Sequence, residues 1–350
     1  MPIPNLRKPK YLSHSSLSLW EKDREEFFIR HLAPTKAPKL PQENFMSIGS
    51  AFDAYAKSSL HEAIFGAGAD PQFGFEAIFE EQVEPHNRDW AREHGKYVFD
   101  SYVHTGAYAE LLATLLRSRE APRFEFTVTD VVGERVPVTG KPDCRFVHEC
   151  GVHVILDWKV KGYCSKYGAS PSKNYALCRD GYDAIALGIG KTKKNPEGRQ
   201  SSSHGKQHKN YVPHNHRGLT IHGGYMEDSN AEHADQLALY GWLLGEVPGD
   251  ESVVLCIDEI VSKYMGEGQK PLLRVANHRA RVRRDYQLKL LDRAVQCWDA
   301  IETGHIFTDL SRADSDERCE ILSGMSVGLA SDGTSRENFF NEIVRPPFRK

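Results

Sequence analysis

The sequence predicts an α/β protein, and three observations lead to that prediction. About the first 120 residues carry apolar side chains at the spacing of amphipathic helices. Residues 123–160 change to short alternating runs rich in Val, Phe, Ile and Thr, which is typical of strands. From residue 231 to residue 304, helical and strand patterns alternate. We therefore expect an N-terminal helical region followed by a core that is built around a β-sheet.

The overall composition indicates a soluble globular protein. The chain has 350 residues, enough for one large domain or two ordinary ones, and its formal net charge is only −3. A polyanion would therefore have to bind at a local concentration of Lys and Arg. No apolar run approaches the length that crosses a bilayer, and the N-terminus lacks the apolar centre of a secretory signal. The seven cysteines are scattered without a Cys-x-x-Cys pair, so we expect reduced thiols in a cytoplasmic protein without a membrane partner.

Three helices are predicted in the N-terminal region. The first follows a run of Ser capping residues, carries apolar residues from Leu17 to Leu32 and stops at Pro34. The second covers residues 44–65, and a polar stretch follows it. The third is long and covers about residues 89–117.

The strand patterns come in two groups. Three strands are predicted at about residues 123–132, 135–147 and 152–160, with turn residues between them. After a helix over AEHADQLALYGWLLGE, two more strands are predicted over SVVLCIDEIVSKY and LLRVANHRARVR, and a last helix ends at Gly304. The tail, residues 308–350, has no readable pattern.

A long segment without regular periodicity, about residues 162–230, separates the two groups of strands. Connections of this length are usually functional or mobile. Part of it has Glu197 as its single acid, set against these cations: Lys191, Lys193, Lys194, Arg199, Lys206, Lys209 and Arg217. Such cations would neutralise phosphates and make nucleic-acid binding fall steeply with salt. The alternative interpretation is a solvated flexible loop.

The same insert is rich in histidine, which raises the question of zinc. The residues concerned are His204, His208, His214, His216 and His222. A zinc site needs about four ligands, and none of the usual ligand spacings is present. We therefore do not predict a zinc site.

The stretch GKPDCRFVHECGVHVILDWKVKG contains two aspartates and a lysine that suit phosphodiester chemistry. Asp157 and Lys159 lie two residues apart on a predicted strand, so their side chains project from one face. A bend at Pro142 would be needed to bring Asp143 beside them. Carboxylate oxygens suit Mg²⁺ or Mn²⁺, and a Lys beside such an ion can orient water and stabilise charge on a phosphate. The alternative interpretation is a surface turn followed by a solvated Asp/Lys pair.

These residues resemble a known signature. Pro142-Asp143 followed by Asp157-Trp158-Lys159 is similar to the motif of the PD-(D/E)XK nuclease superfamily. Three further features resemble its RecB-like branch, which includes CRISPR-associated RecB-like exonucleases.

In that branch a Gly precedes the motif's Asp by three residues, as Gly140 does here, and a Gln-x-x-x-Tyr helix follows the catalytic strands, as Gln236 and Tyr240 do. The N-terminal stretch YLSHSSLSLWEKDREEFFIRHL resembles the branch's opening helix. The stretch IGSAFDA resembles its next helix, with Asp53 in the place of a His. The resemblance covers about residues 11–307.

The resemblance implies a fold. It implies a restriction-endonuclease-like core, a central mixed β-sheet flanked by helices, within residues 121–307. Residues 1–120 would form an extra helical region that contributes to the active site, and the insert would be long for the family.

The resemblance also implies roles for particular residues. Asp143, Asp157 and the backbone carbonyl of Trp158 would bind Mg²⁺ or Mn²⁺. Lys159 would position or deprotonate the attacking water. Asp53 would bind a second ion, or would only be an acid near a helix start, so one or two ions are expected.

Three other residues have supporting roles by the same resemblance. Gln236 and Tyr240, which share a helix face, would support Lys159 or touch the phosphate backbone. Lys161 would be a phosphate contact or a solvated strand end.

The sequence departs from many members of this branch at the cysteines that hold an iron–sulphur cluster. Many relatives hold an iron–sulphur cluster with one Cys in the first helix and three near the C-terminus. Here the first-helix position reads Asp23-Arg24-Glu25, and only Cys319 lies near the C-terminal position. Four thiolates are needed for a cluster, so none is expected.

Together these observations predict a metal-dependent DNA nuclease, an exonuclease rather than an endonuclease. The alternatives are a structure-selective endonuclease and a non-catalytic nucleic-acid-binding subunit of a larger complex. No helicase motif such as Gly-x-x-x-x-Gly-Lys-Ser/Thr is present, so the protein would act alone or beside a helicase or recombination protein. Its stand-alone build resembles nucleases of bacteriophages, which would work in the host cytoplasm. The oligomeric state is not predicted.

Overall fold

The computed structural model describes residues 6–35, 38, 40–161, 178–180, 214–222, 224–244, 247–263 and 272–307. Within these residues the α-helices are α1 (His14–Lys22), α2 (Arg24–Phe27), α3 (Asn44–Phe65), α4 (Phe75–Gln82), α5 (Arg88–His104), α6 (Ala107–Leu116), α7 (Met226–Ser229), α8 (Ala231–Leu243) and α9 (Arg284–Thr303). The strands are β1 (Arg123–Phe124), β2 (Val128–Val132), β3 (Val136–Gly140), β4 (Cys144–Val147), β5 (His153–Lys161), β6 (Cys178–Asp180), β7 (His214–His216), β8 (Leu219–Ile221), β9 (Val253–Lys263) and β10 (Leu272–Ala280).

A mixed six-stranded sheet is the centre of the fold, in the order β1-β4-β5-β9-β10-β6. Strands β5 and β9 are parallel, and every other neighbouring pair is antiparallel. Helices flank this sheet, which confirms the predicted α/β class with a central mixed sheet. The described residues contain no helix that is long and apolar enough to cross a membrane.

The two faces of β5 have different surroundings. Leu156 and Trp158 are buried in an apolar core with Phe52 of α3, Tyr102 of α5 and Leu115 of α6. The alternate side chains of a strand point to the opposite face, so Asp157 and Lys159 project away from this core. That opposite face is covered by α8.

The chain divides into two compact units. One consists of the described residues of Gln42–Thr127 and Lys141–Gln287, and it contains the six-stranded sheet. The other consists of the described residues of Met1–Pro41, Val128–Gly140 and Leu288–Lys350. In this second unit β2 and β3 form an antiparallel pair, and Leu12 forms a bridge to Val138.

The first two of the three strands predicted between residues 123 and 160 are each divided in the structure, which corrects the prediction. The strand expected at 123–132 is interrupted at Glu125, whose backbone is left-handed with φ +46°. Such a conformation cannot continue a pleated strand. The strand expected at 135–147 ends at Gly140 and resumes at Cys144, because Pro142 lies between them and has no N–H for a ladder hydrogen bond.

Two predicted helices are also divided. The helix expected at residues 89–117 becomes α5 and α6, separated at Gly106, which has a left-handed φ of +76°. The first helix ends at Lys22, and Asp23 then caps α2 by accepting a hydrogen bond from the N–H of Glu26 at 2.9 Å. The polar stretch after α3 contains the short helix α4, which the sequence pattern did not predict.

The insert is less irregular than predicted where the structure describes it. Strand β6 pairs with β10 at the edge of the six-stranded sheet, and β7 and β8 form a two-stranded sheet. The predicted strands β9 and β10 and the predicted helix α9 are confirmed.

Two stacked histidines lie in the unit that contains the sheet. His222, which follows β8, stacks on His278 of β10 with ring centroids 5.5 Å apart. The N–H of Arg279 donates to Nδ1 of His222 at 2.8 Å, so that nitrogen must be unprotonated. Burial is the main cause that lowers the pKa of His222 to about 4 and the pKa of His278 to about 3.

We expect acid to destabilise the fold through these rings. Their pKa values are lower in the folded protein than the ordinary 6.5, so the unfolded chain binds more protons below that pH. Between pH 7.5 and pH 5 each ring should contribute a loss of about 2 kcal/mol in the free energy of unfolding. Urea unfolding of the parent and of His278→Phe at both pH values measures this. An identical pH dependence in the two proteins would contradict the prediction.

Candidate active site

The register of the central sheet brings Asp143 beside Asp157. Strands β4 and β5 are antiparallel, and Cys144 lies opposite Leu156. The residue before Cys144 therefore lies next to the residue after Leu156. The predicted bend at Pro142 is present as the break between β3 and β4, and the register of β4 with β5 completes the approach of the two aspartates.

Asp143 is held in its ionised form. Its Oδ2 accepts a hydrogen bond from the N–H of Trp158 at 3.0 Å, and its Oδ1 accepts one from Nζ of Lys57 at 2.9 Å. Burial alone would raise the pKa of Asp143, but the charges of Lys57 and Lys159 and these hydrogen bonds outweigh it, so the pKa is lowered.

Asp157 has the opposite shift. Its side chain is almost fully buried, and burial is the largest cause of a pKa that is raised to about 8. The negative charge of Asp143 and a hydrogen bond between the two side chains raise it further, while Lys159 opposes the shift. Two carboxyl groups that face each other in a buried site form an environment that a cation would stabilise.

Lys159 is clamped by Asp157 and Gln236. Its Nζ forms an ion pair with Oδ2 of Asp157 and donates to Oε1 of Gln236 at 2.8 Å. Burial would lower the pKa of Lys159, but Asp157 and Asp143 outweigh it and the pKa is raised. The amine is therefore an ammonium, which acts as a donor rather than as a base.

Gln236 connects α8 to Asp157 and Lys159 of β5. Its Nε2 donates to Oδ1 of Asp157 at 3.2 Å and to Oη of Tyr240 at 3.1 Å, while its Oε1 accepts from Lys159. The amide of Gln236 therefore orients both Asp157 and Lys159, and Tyr240 orients the amide.

Replacing Gln236 by Ala is expected to lower the rate of phosphodiester cleavage, the reaction that the sequence predicts for this site. Loss of the amide frees both Asp157 and Lys159, and supporting residues of this kind are worth up to about 10²-fold. Tyr240→Phe, which removes one hydrogen bond to the amide, should cost about tenfold or less. Single-turnover cleavage rates of the three proteins measure the difference, and equal rates in parent and Gln236→Ala would contradict it.

A second group of carboxylates surrounds Lys57 of α3. Besides Asp143, Nζ of Lys57 contacts Oδ2 of Asp53 at 3.0 Å and Oε1 of Glu125 at 3.4 Å. Burial would lower the pKa of Lys57, but the three carboxylates outweigh it and raise it well above its ordinary value. Burial raises the pKa of Asp53 to about 7 against the opposing charge of Lys57.

Glu125 is held to this group by its backbone and its side chain. Its N–H donates to the carbonyl of Asp143 at 3.2 Å. Its Oε1 also accepts from Nε2 of Gln82 at 3.0 Å and pairs with Nζ of Lys141 at 3.1 Å. The left-handed backbone at Glu125 thus serves to turn this carboxylate towards Lys57.

A buried polar network on the opposite face of the sheet supports Trp158. The indole N–H of Trp158 donates to Oη of Tyr102 at 3.4 Å, and Tyr102 donates to Oδ2 of Asp258 at 2.5 Å. Asn277 donates to the other oxygen of Asp258. Hydrogen bonds on the face that carries Trp158 therefore anchor the strand whose other face carries Asp157 and Lys159.

The donor set fits a hard divalent cation. Asp143 and Asp157 offer oxygen atoms of adjoining carboxyl groups, which is the chemistry that Mg²⁺ and Mn²⁺ prefer. Among the described residues no group of three or more His, Cys, Asp or Glu side chains is arranged to hold a metal ion. An ion at this site would rely on two carboxylates and a backbone carbonyl, which the sequence analysis assigned to Trp158.

The structure brings five of the predicted site residues together, and these are Asp143, Asp157, Lys159, Gln236 and Tyr240. Asp53 lies beside them and contacts Lys57. Lys161, two residues further along β5, pairs with Oε1 of Glu259 at 2.5 Å. The cations predicted to bind nucleic acid at Lys191, Lys193, Lys194, Arg199, Lys206 and Lys209 lie outside the described residues.

Sequence reasoning missed Lys57 and Glu125. A signal for Lys57 was present, because a Lys four residues after Asp53 falls on the same face of an otherwise apolar helix. Glu125 had no such signal, since its position depends on an unusual backbone conformation.

The chain thus combines an α/β fold with a partly buried Asp/Asp/Lys centre. No protein-family model matches it, and no curated protein matches it. The crystal structure of SSO0001 is similar at 10% sequence identity and a TM-score of 0.25, over 85% of this chain and 95% of that one. A likeness of that size carries no conclusion about fold or function.

Proposed function

We propose that this protein is a metal-dependent nuclease with a restriction-endonuclease-like core, which hydrolyses phosphodiester bonds of DNA as an exonuclease. One observation carries the proposal. Among the residues that resemble the PD-(D/E)XK motif, Asp157 and Lys159 form an ion pair that Gln236 ties to α8, and Asp143, directly before the neighbouring strand β4, lies beside Asp157. A solvated surface turn would not leave the side chain of Asp157 only 3% exposed and that of Asp143 only 15% exposed.

In the proposed reaction, Asp143, Asp157, Lys159 and Gln236 would have different roles. Asp143 and Asp157 would hold a divalent ion, which would supply Lewis-acid polarisation of a phosphate oxygen and activation of water. Lys159, as an ammonium, would hold the attacking water and stabilise the negative charge that develops on the phosphate. Gln236 of α8 accepts a hydrogen bond from this ammonium and holds it beside Asp157.

The partly open surface of the site suits a large substrate. The side chain of Lys159 is 26% exposed and that of Asp53 is 23% exposed, while Asp157 is only 3% exposed. A phosphate can therefore approach the ammonium while Asp157 stays in a water-poor environment. The proposed preference for DNA ends rests on the resemblance to RecB-like exonucleases.

The test compares end-labelled linear DNA with covalently closed circular DNA, in Mg²⁺, in Mn²⁺ and in EDTA. We expect loss of the linear DNA only, in the presence of metal. An Asp157→Asn protein, prepared in parallel, should be inactive and excludes a contaminating nuclease. Cleavage of the closed circle would indicate an endonuclease instead, and metal-dependent binding without any cleavage would indicate a non-catalytic subunit.

A further inference from the structure

Lys57 occupies the position of a cation within a set of oxygen ligands. Three carboxylates, from Asp53, Glu125 and Asp143, lie 2.9–3.4 Å from its Nζ. They come from three separate segments of the chain, as ligands of a bound ion commonly do. The side chain of Lys57 has no exposed surface.

A metal ion cannot readily displace the ammonium of Lys57. Nζ of Lys57 lies 6.0 Å from the centre of the Trp158 ring, and its side chain has no exposed surface. Withdrawing it would leave a buried ammonium without its partners, which is strongly unfavourable. The three carboxylates would at the same time face one another.

The charge of the centre leaves room for one divalent ion. When all four are ionised, as a bound cation would favour, the acids Asp53, Glu125, Asp143 and Asp157 face the three amines of Lys57, Lys141 and Lys159, which is a formal charge of −1. One divalent cation changes this to +1, and a second would change it to +3. Like charges gathered in a partly buried site repel one another, so a second ion is disfavoured while Lys57 stays.

We propose that Lys57 is an internal cation that takes the place of a second divalent ion, so that the centre binds one ion at Asp143 and Asp157. Asp53 then acts as a partner of Lys57 and not as a metal ligand. This inference rests on the proposed function for the ion at Asp143 and Asp157. Whether the carboxylates around Lys57 can bind an ion once the lysine is removed can be tested separately from the proposed site at Asp143 and Asp157.

The test counts the Mn²⁺ ions bound per chain, by electron paramagnetic resonance of free Mn²⁺ in a titration without DNA. The parent should bind one ion. Lys57→Met, which keeps the length and removes the charge, should bind one more than the parent. The control Lys141→Met, which removes an amine that contacts Glu125 alone among the three carboxylates, should bind the same number as the parent.

The outcomes separate this inference from the proposed function. Equal counts in parent and Lys57→Met, or two ions in the parent, would overturn the role of Lys57. A parent that binds none, with a variant that binds one, would overturn the proposed metal site and would leave the role of Lys57 supported.

A stability measurement follows from the same assignment. Without metal, Lys57→Met should have a Tm about 10 °C below that of the parent, because three carboxylates lose their shared partner. Added Mn²⁺ should raise the Tm of the variant more than that of the parent.

A second variant keeps the inference testable if Lys57→Met does not fold. Asp53→Asn should leave the number of bound Mn²⁺ ions unchanged and their affinity within about threefold, since the inference makes Asp53 a partner of Lys57 and not a metal ligand. Loss of an ion, or an affinity lower by about tenfold or more, would make Asp53 a metal ligand and overturn the inference.

Discussion

Replacing Lys159 by Ala is expected to lower kcat for DNA cleavage by about 10³-fold, with little change in DNA affinity. The ammonium is the one cation of β5 that contacts Asp157, and it is held there by Gln236. Its loss removes the group that stabilises charge on the phosphate. Single-turnover cleavage of end-labelled DNA with saturating metal, together with binding measured in Ca²⁺, separates the two effects.

Lys161→Ala is the matched comparison for this variant. Lys161 lies on the same strand and the same face, but its ammonium pairs with Glu259. Its removal should keep kcat within about threefold of the parent and raise KM, if the residue contacts phosphate. An active Lys159→Ala, or an equal loss of kcat in both variants, would show that the proposed catalytic role of Lys159 is wrong.

Replacing Gly95 by Val is expected to lower the free energy of unfolding by about 3 kcal/mol. Gly95 is the point where α5 packs against α3. A Cβ at this position would lie 2.4 Å from Cβ of Ala51 and 3.1 Å from the N of Phe52. Both neighbours belong to α3, so the two helices would have to separate. Urea unfolding followed by circular dichroism measures the change.

Gly49→Ala is the control for this substitution. Gly49 lies in α3 itself, and a Cβ there would have nothing within 4 Å. This variant should be as stable as the parent or more stable by up to about 1 kcal/mol, because Ala favours a helix more than Gly does. If Gly95→Val were equally stable, the close approach of α3 and α5 would be contradicted.

The elements that were predicted correctly are those whose own periodicity is strong. Helix α9 and strands β9 and β10 are examples, because their buried faces repeat along the segment itself. The divided elements were predicted less well. A left-handed residue such as Glu125, which is neither Gly nor Asn, leaves no mark in a pattern of apolar residues.

The same distinction applies to the site. The sequence by itself determined the α/β class, and the resemblance of its motifs to the PD-(D/E)XK signature supplied the candidates Asp143, Asp157, Lys159, Gln236 and Tyr240. Periodicity added only that side chains two apart on a strand, or four apart on a helix, share a face. Only the tertiary structure decided that Gln236 of α8 meets β5, and that Asp53, Glu125 and Asp143 surround Lys57. These contacts join segments far apart in the chain, and such contacts depend on strand register, on chain breaks and on burial. Local periodicity does not carry that information.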